Sequence, residues 1–363
     1  MWSKMFGKEC LTYLGKAINI GALIVLFSFI AFNGCSKFGV DETNLEQVAN
    51  YYYQPGKEKE LAPKKAYEFL STKSKEITNY TEYEKYCNEG KEYKISEIKV
   101  LSEKEANGKK YGIVSVYSKK EKENAIFTNS WILEDGKWRR LSIKKLLEEA
   151  GNAFSSGDYA VALAKANECL AIDPFSVNAY QLLGFAMNKS NTDKFKREDR
   201  TMDDIVRSLL SINPEDSQVL FFAVTFSEDL SIAKNFLRKM QGHVGYSTAA
   251  FNAILKIESP REKLKFLDGI ELTTDLAMLK MYAFAQLEKW NDFRSLSNNE
   301  GTFEKIKEKL EESDPSFSAG WAARLGFCFH VADDDYTARK YLEYGITRDP
   351  NNELIRKLAK TLD

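Results

Sequence analysis

The chain has 363 residues, 44% of them hydrophobic and 29% charged, with a formal net charge of -1 at neutral pH. That length exceeds one ordinary domain and suggests two, and seven prolines argue against long disordered linkers. Residues 36–145 hold 22 basic against 18 acidic groups and residues 146–363 hold 27 against 34, which leaves no electrostatic case for nucleic acid.

Lys4, Lys8 and Lys16 flank an uncharged, mostly apolar run over residues 17–32. The run falls short of the roughly twenty residues a membrane-spanning helix needs, so it reads as a targeting segment. It ends in Phe32-Asn33-Gly34-Cys35. This resembles the lipobox of bacterial lipoproteins, in which a small residue precedes the cysteine that is acylated. Gly34 and Cys35 match, while Phe32 stands where leucine is usual. The resemblance implies a signal peptide over 1–34, lipid attachment (palmitate among the acyl chains) at Cys35, and a lipidated tether over 35–42. Ser36, where an inner-membrane protein would carry Asp, implies the outer membrane, facing the periplasm. The alternative is an uncleaved N-terminal anchor; either way the bulk of the chain is expected outside the cytoplasm, in the bacterial cell envelope. With Cys10 in the signal and Cys35 lipidated, Cys87, Cys169 and Cys328 remain. An odd number at wide spacing is no disulfide framework, and Cys169 and Cys328 are expected to pack in the core.

Residues 43–143 read as a small α+β domain. Residues 44–53 predict a short helix broken by Pro55-Gly56, Pro63 opens a second with Ala66, Phe69 and Leu70 on one face, and Thr81 begins a third bearing Tyr83, Tyr86 and Cys87. Period two then takes over. A first strand carries Tyr93, Ile95, Ile98 and Val100, with a slip between Ile95 and Ile98. Asn107-Gly108 predicts a hairpin turn into a second strand, with Val114 and Val116 on one face and Tyr111, Ile113 and Tyr117 on the other. Ala125, Phe127, Trp131 and Leu133 alternate along a third, and Asp135-Gly136 turns into a fourth at residues 138–141. Helices followed by a bent antiparallel sheet indicate an α+β domain. The ending Trp131-Ile132-Leu133-Glu134-Asp135-Gly136-Lys137-Trp138-Arg139 resembles the last hairpin of nuclear-transport-factor-like or cystatin-like domains. Members of that fold that use histidine in the cone have no counterpart here, because His243 and His330 both lie beyond it. Trp131, Trp138 and Tyr117 are either core or the lining of a small-ligand pocket.

Residues 144–363 read as helical repeats. Leu170-Ala171-Ile172-Asp173-Pro174, Leu210-Ser211-Ile212-Asn213-Pro214 and Ile346-Thr347-Arg348-Asp349-Pro350 end helices in one grammar, and Asp314-Pro315 is read as a fourth, less regular end. Twelve residues before Pro174 stands the small Ala162, with Tyr159 and Gly157 ahead of it; Tyr180, Leu183 and Gly184 open the next unit, and Trp321, Leu325, Gly326, Phe329, Ala338, Leu342 and Gly345 repeat the pattern near the end. These residues resemble the tetratricopeptide repeat. The proline spacing implies about six helix pairs, with an excess placed in the loop 190–200 and a capping helix over 353–362.

The fold class expected is therefore an α+β N-terminal domain followed by an all-α tetratricopeptide-like solenoid. No phosphate-cradling glycine loop, nucleophile elbow, or paired His or Cys at metal spacing occurs, so no catalytic residue, cofactor or metal is expected. The repeat resemblance implies a groove for a partner protein or peptide of the cell envelope, lined in the second repeat by Asn178, Gln181, Phe185 and Asn188. The alternative keeps the repeats as a spacer and gives small-ligand binding to the N-terminal domain.

Overall fold

Strong turn chemistry sets the sheet. In the computed structural model Asn107 (φ 52°) and Gly108 (φ 69°) join β1 (Lys94–Ala106) to β2 (Lys109–Lys120), and Asp135 (φ 50°) and Gly136 (φ 74°) join β3 (Glu123–Glu134) to β4 (Lys137–Arg140). Paired left-handed residues match the twist of antiparallel strands, which is why Asn-Gly and Asp-Gly serve there. The sheet order is β1-β2-β3-β4, all antiparallel. The expected slip is a register shift between Ile95 and Glu97, and a second falls between Val100 and Ser102. The structure describes residues 40–54, 61–89, 94–120, 123–190, 201–297 and 302–361. The signal segment, Cys35 and residues 191–200 of the expected loop lie outside them.

Four short helices cover one sheet face: α1 (Leu45–Tyr53), α2 (Pro63–Glu68), α3 (Thr72–Ile77) and α4 (Tyr80–Glu89). Asn44 and Ser71 cap α1 and α3 by accepting from Gln47 N and Ser74 N. Helix α3 has no sequence signal, since Thr72–Ile77 carries neither the opening proline of α2 nor more than one apolar residue. Val48, Tyr52, Tyr53, Leu61, Leu70, Tyr83 and Cys87 pack on Val114, Val116, Trp131 and Trp138 to form the core between helices and sheet.

The opposite sheet face is also covered. It carries Tyr111, Ile113, Ser115 and Tyr117 on β2, opposed by Ile132, Ser130, Thr128 and Ile126 on β3. What lies on it is the set of turns between the following helices: α5 (Lys144–Ser155), α6 (Tyr159–Ile172), α7 (Val177–Ser190), α8 (Met202–Ile212) and α9 (Ser217–Phe226). The Tyr111 and Phe175 rings meet at 5.5 Å. Asn213 Nδ2 donates to Ser115 Oγ (3.2 Å) and Thr128 Oγ1 (3.1 Å), and Thr128 Oγ1 donates to Asp216 (2.7 Å). Lys104 Nζ reaches the Ser211 carbonyl at 2.8 Å. Residues 242–244 return to the same place: Asn124 N donates to Gly242 O and Val244 N to Asn124 O, each at 2.9 Å.

The chain accordingly packs as two compact units, one running to Phe226 and including Gly242–Val244, the other formed by Ser227–Gln241 with the residues from Gly245 on. The change from strands to helices falls at 140–144, where the sequence places a domain boundary. Packing does not divide there, because the outer sheet face needs the turns after α6 and α8 to cover it.

The second unit contains α10 (Leu230–Lys239), α11 (Tyr246–Leu255), α12 (Pro260–Leu267), α13 (Thr274–Gln286), α14 (Trp290–Ser297), α15 (Thr302–Glu311), α16 (Pro315–Val331), α17 (Asp335–Arg348) and α18 (Glu353–Thr361). Here α11 packs on α13, α13 on α16 and α16 on α18, while α12, α14 and α17 are the returning partners. Helix α15 is an extra element between hairpins, and α18 is the expected terminal helix.

One built turn recurs three times: Asp173-Pro174-Phe175-Ser176, Asn213-Pro214-Glu215-Asp216 and Asp349-Pro350-Asn351-Asn352. Proline has no N–H to offer, so the preceding Asp or Asn accepts from the next amide, Phe175 N (3.1 Å), Glu215 N (3.0 Å) or Asn351 N (3.2 Å). The fourth residue then caps the following helix, as Ser176 does for Ala179 N, Asp216 for Val219 N and Asn352 for Ile355 N. Asp314-Pro315 corrects the sequence reading: it starts a helix and does not end one. Asp314 accepts from Ser316 N and Phe317 N, and Pro315 is the first residue of α16.

Candidate partner-binding faces

Of the four groove residues expected on α7, two are accessible: Asn188 is exposed and Asn178 half-buried. The other two are engaged within the chain. Gln181 is 4% exposed and donates Nε2 to the Gln218 carbonyl at 2.7 Å, tying α7 to α9. Phe185 is 7% exposed. Its ring lies 6.4 Å from Phe154 of α5, 5.5 Å from Phe222 and 5.4 Å from Phe226 of α9. The ring is the centre of an aromatic ladder across three helices and not a free anchor; repeat position alone could not reveal that both neighbours supply rings.

The second unit has a more open counterpart. Phe251 of α11, Tyr282 of α13 and Phe317 of α16 are half-buried. Their centroids stand 6.4, 6.2 and 6.4 Å from the ring of Trp321, which is the buried floor. The Arg324 guanidinium lies over Trp321 at 5.4 Å, an arrangement favoured by the negative face of an indole ring. Further along α16, Phe327 is half-buried and Val331 is exposed. Spacings of three and four residues put Phe317, Gly320, Arg324, Phe327 and Val331 on one side of that helix. The sequence shows these aromatics, but not which of them stop short of full burial.

The two tryptophans of the α+β part, Trp131 and Trp138, are 0% and 2% exposed and belong to the core, while Tyr117 lies on the opposite face with its hydroxyl donating to Glu215 (3.1 Å). At the centre sits Arg140, which the sequence reading passed over. Its Nη1 donates to Tyr52 Oη and its Nη2 to Asn129 Oδ1, both at 2.9 Å, and Tyr52 and Tyr83 share a hydrogen bond of 2.7 Å. The guanidinium also lies 5.2 Å from the Tyr52 ring and 6.0 Å from the Tyr53 ring. Burial pushes the Tyr53 phenol up to about 12, against the opposing pull of Arg140. The Tyr52, Tyr53 and Tyr83 phenols are therefore neutral at physiological pH.

Cys87, Cys169 and Cys328 are buried, and burial raises the thiols of Cys169 and Cys328 to about 12, which makes those two inert packing groups. His330 Nδ1 pairs with Asp335 at 2.6 Å on the surface. His243 is half-buried against Ser217 Oγ (3.1 Å), and burial lowers its pKa. Among the described residues no group of three or more His, Cys, Asp or Glu could hold a metal, and no helix is long and apolar enough to cross a membrane.

No protein-family model matches the chain, and no curated protein matches it. Among solved structures it is similar to YrrB, described as a TPR protein with an unusual peptide-binding site, at 15% identity over 60% of this chain and 91% of that one, with a TM-score of 0.30. It is also similar to a tetratricopeptide repeat protein from Parabacteroides merdae, at 13% identity over 60% and 98% of the two chains, with a TM-score of 0.28. Values this low carry no argument about function.

Proposed function

We propose that the chain is a non-catalytic, lipid-anchored protein of the cell envelope whose helical repeats bind a partner protein or peptide. The observation that supports this best is the half-buried aromatic face of α11, α13 and α16, with Arg324 laid across Trp321. Rigid rings and an arginine at the centre of a surface are the residue types that dominate protein interfaces. The anchoring half of the proposal rests on Gly34-Cys35 after the apolar run. Cys35→Ala is expected to abolish incorporation of labelled palmitate and to leave an unprocessed precursor; persisting label in that variant would sink the lipobox reading.

The binding half is tested on the full-length protein by affinity capture from native envelope, comparing the unaltered chain with Tyr282→Ala and Phe317→Ala. Loss of an interface ring often costs about 2 kcal/mol, roughly a thirtyfold drop in affinity. Each variant is expected to keep its helical circular dichroism and lose the specifically co-purified partner. Undiminished capture by both folded variants rules this face out, and the accessible Phe154 and Phe226 rungs of the first unit become the next candidates.

A further inference from the structure

The sheet and the repeat turns of the first unit meet through a seam with an unusual charge content. Asp173 and Asp216 are 5% and 1% exposed. Each is the acid of a recurring turn and each faces a hydroxyl of β3. Asp173 is held by the Ser130 hydroxyl and by Phe175 N; Asp216 is held by Thr128 Oγ1 (2.7 Å), Gln218 N (2.8 Å) and Val219 N (3.2 Å). Every one of these donors is neutral. Among the described residues neither carboxylate has an ion-pair partner. An ionised carboxylate buried without a cation is costly, and the ordinary relief is to take up a proton.

The other titratable groups at the seam do not supply that cation. Facing Asp173 are Tyr111 from β2 and, along α6, Cys169 with Glu168 and Lys165 beyond it. Beside Asp216 are Glu215, which accepts from Tyr117 of β2, and His243, which shares Ser217 with Ile126 N. Lys104 of β1 spends its ammonium on the Ser211 carbonyl at the margin.

We propose that this seam is a proton-operated joint, drawn tight in mild acid and loosened at neutral pH, which sets how firmly the sheet is held to the repeat turns. Burial raises both carboxyls from 3.8 to about 6, against the hydrogen bonds that favour the anion. A folded pKa above the unfolded one means the seam's extra stability is fully present below about pH 4 and is lost as pH rises through about 6. His243 works in the opposite sense, because burial lowers its pKa and its protonation favours opening. For one carboxyl released to water on opening, the opening constant grows about tenfold between about pH 5 and about pH 7.5, and for two about a hundredfold.

The test is backbone amide exchange of Phe175, Gln218 and Val219, bonded to the two carboxylates, and of Ile126, bonded across the seam to Ser217, in the full chain at those two pH values, corrected for intrinsic exchange rates. The expected result is opening about a hundredfold more frequent at the higher pH, falling to about tenfold in Asp173→Asn or Asp216→Asn and to no carboxyl-dependent change in the double variant. An asparagine keeps an acceptor for the backbone amides and never ionises, so the comparison also removes the histidine contribution. Opening that does not rise with pH in the unaltered chain, or a rise with pH that survives both substitutions, overturns the proposal. Should the double variant fail to fold, a carbon-13 titration of the aspartate carboxyls in the unaltered protein decides: two values near 6 support the joint, and values near 4 refute it.

Discussion

Phe185→Ala is expected to unfold the first unit at a markedly lower temperature, with about 3–5 kcal/mol of stability lost, the range for deleting a buried phenylalanine. The ring is 7% exposed and touches three other phenylalanines on the two flanking helices. Removing it leaves a cavity that rigid rings cannot close. The same site is sensitive to added volume. A Cβ on Gly184 would stand 2.9 Å from Cε2 of Phe222 and closer still to its Cζ, and Phe222 is fully buried. Gly184→Leu therefore presses α7 away from α9, at a cost of about 1–3 kcal/mol or more. Differential scanning calorimetry checks both. An unchanged transition for Phe185→Ala would mean that the ring faces solvent and that the sequence-based groove assignment holds after all.

Arg140→Ala is expected to be damaging too, at about 1–3 kcal/mol for each buried acceptor it strands, because it empties a buried site and leaves the groups bonded to it without their donor. Tyr52 Oη and Asn129 Oδ1 would lose their donor, and the Tyr52 and Tyr53 rings the cation above them. Arg140 also bridges elements through its backbone: its N–H donates to Phe69 O and its carbonyl accepts from Ser71 N. Those bonds survive substitution, so β4 should keep its place while the side-chain knot fails. Near-ultraviolet circular dichroism, which senses Tyr52, Tyr53, Tyr83 and Trp131 directly, is expected to weaken more than the far-ultraviolet signal. A variant with full near-ultraviolet intensity and an unshifted melting point would show that the phenols satisfy one another without the guanidinium.

Local chemistry was the most legible part of the chain. Asn107-Gly108 and Asp135-Gly136 announce their turns because few other residue pairs take two left-handed conformations in succession. The Ile95–Ile98 slip marks a real register shift, and the alternation of Tyr111, Ile113 and Tyr117 against Val114 and Val116 separates the two sheet faces correctly. Periodicity cannot say what a face packs against. The outer face carries Ser115, Thr128 and Ser130 among its apolar residues, so it reads as half-solvated, whereas small hydroxyl residues are what a seam of polar turns requires. For the same reason Asp173 reads as part of a helix end and nothing more. The Asp-Pro pattern at 314–315 misled because the dipeptide serves equally before a helix, where Asp caps and Pro occupies the first turn. Phe185 misled because a repeat register defines a position on a helix but not the side chains of its neighbours.

The return of residues 242–244 to the edge of β3 has a consequence for the order in which the molecule can be made. The first unit is discontinuous in sequence, and its last piece is separated from α9 by residues 227–241. A chain emerging from the ribosome can form the sheet and the first helices as they appear. It cannot supply the partner of the Asn124 backbone until Val244 is out. Until then that stretch of β3 stays open to water and to other strands, and residues 227–241 must be spun out as an excursion before the clasp can shut. A stalled or truncated product ending between 227 and 241 should thus be the form of this protein most prone to stick to its own copies.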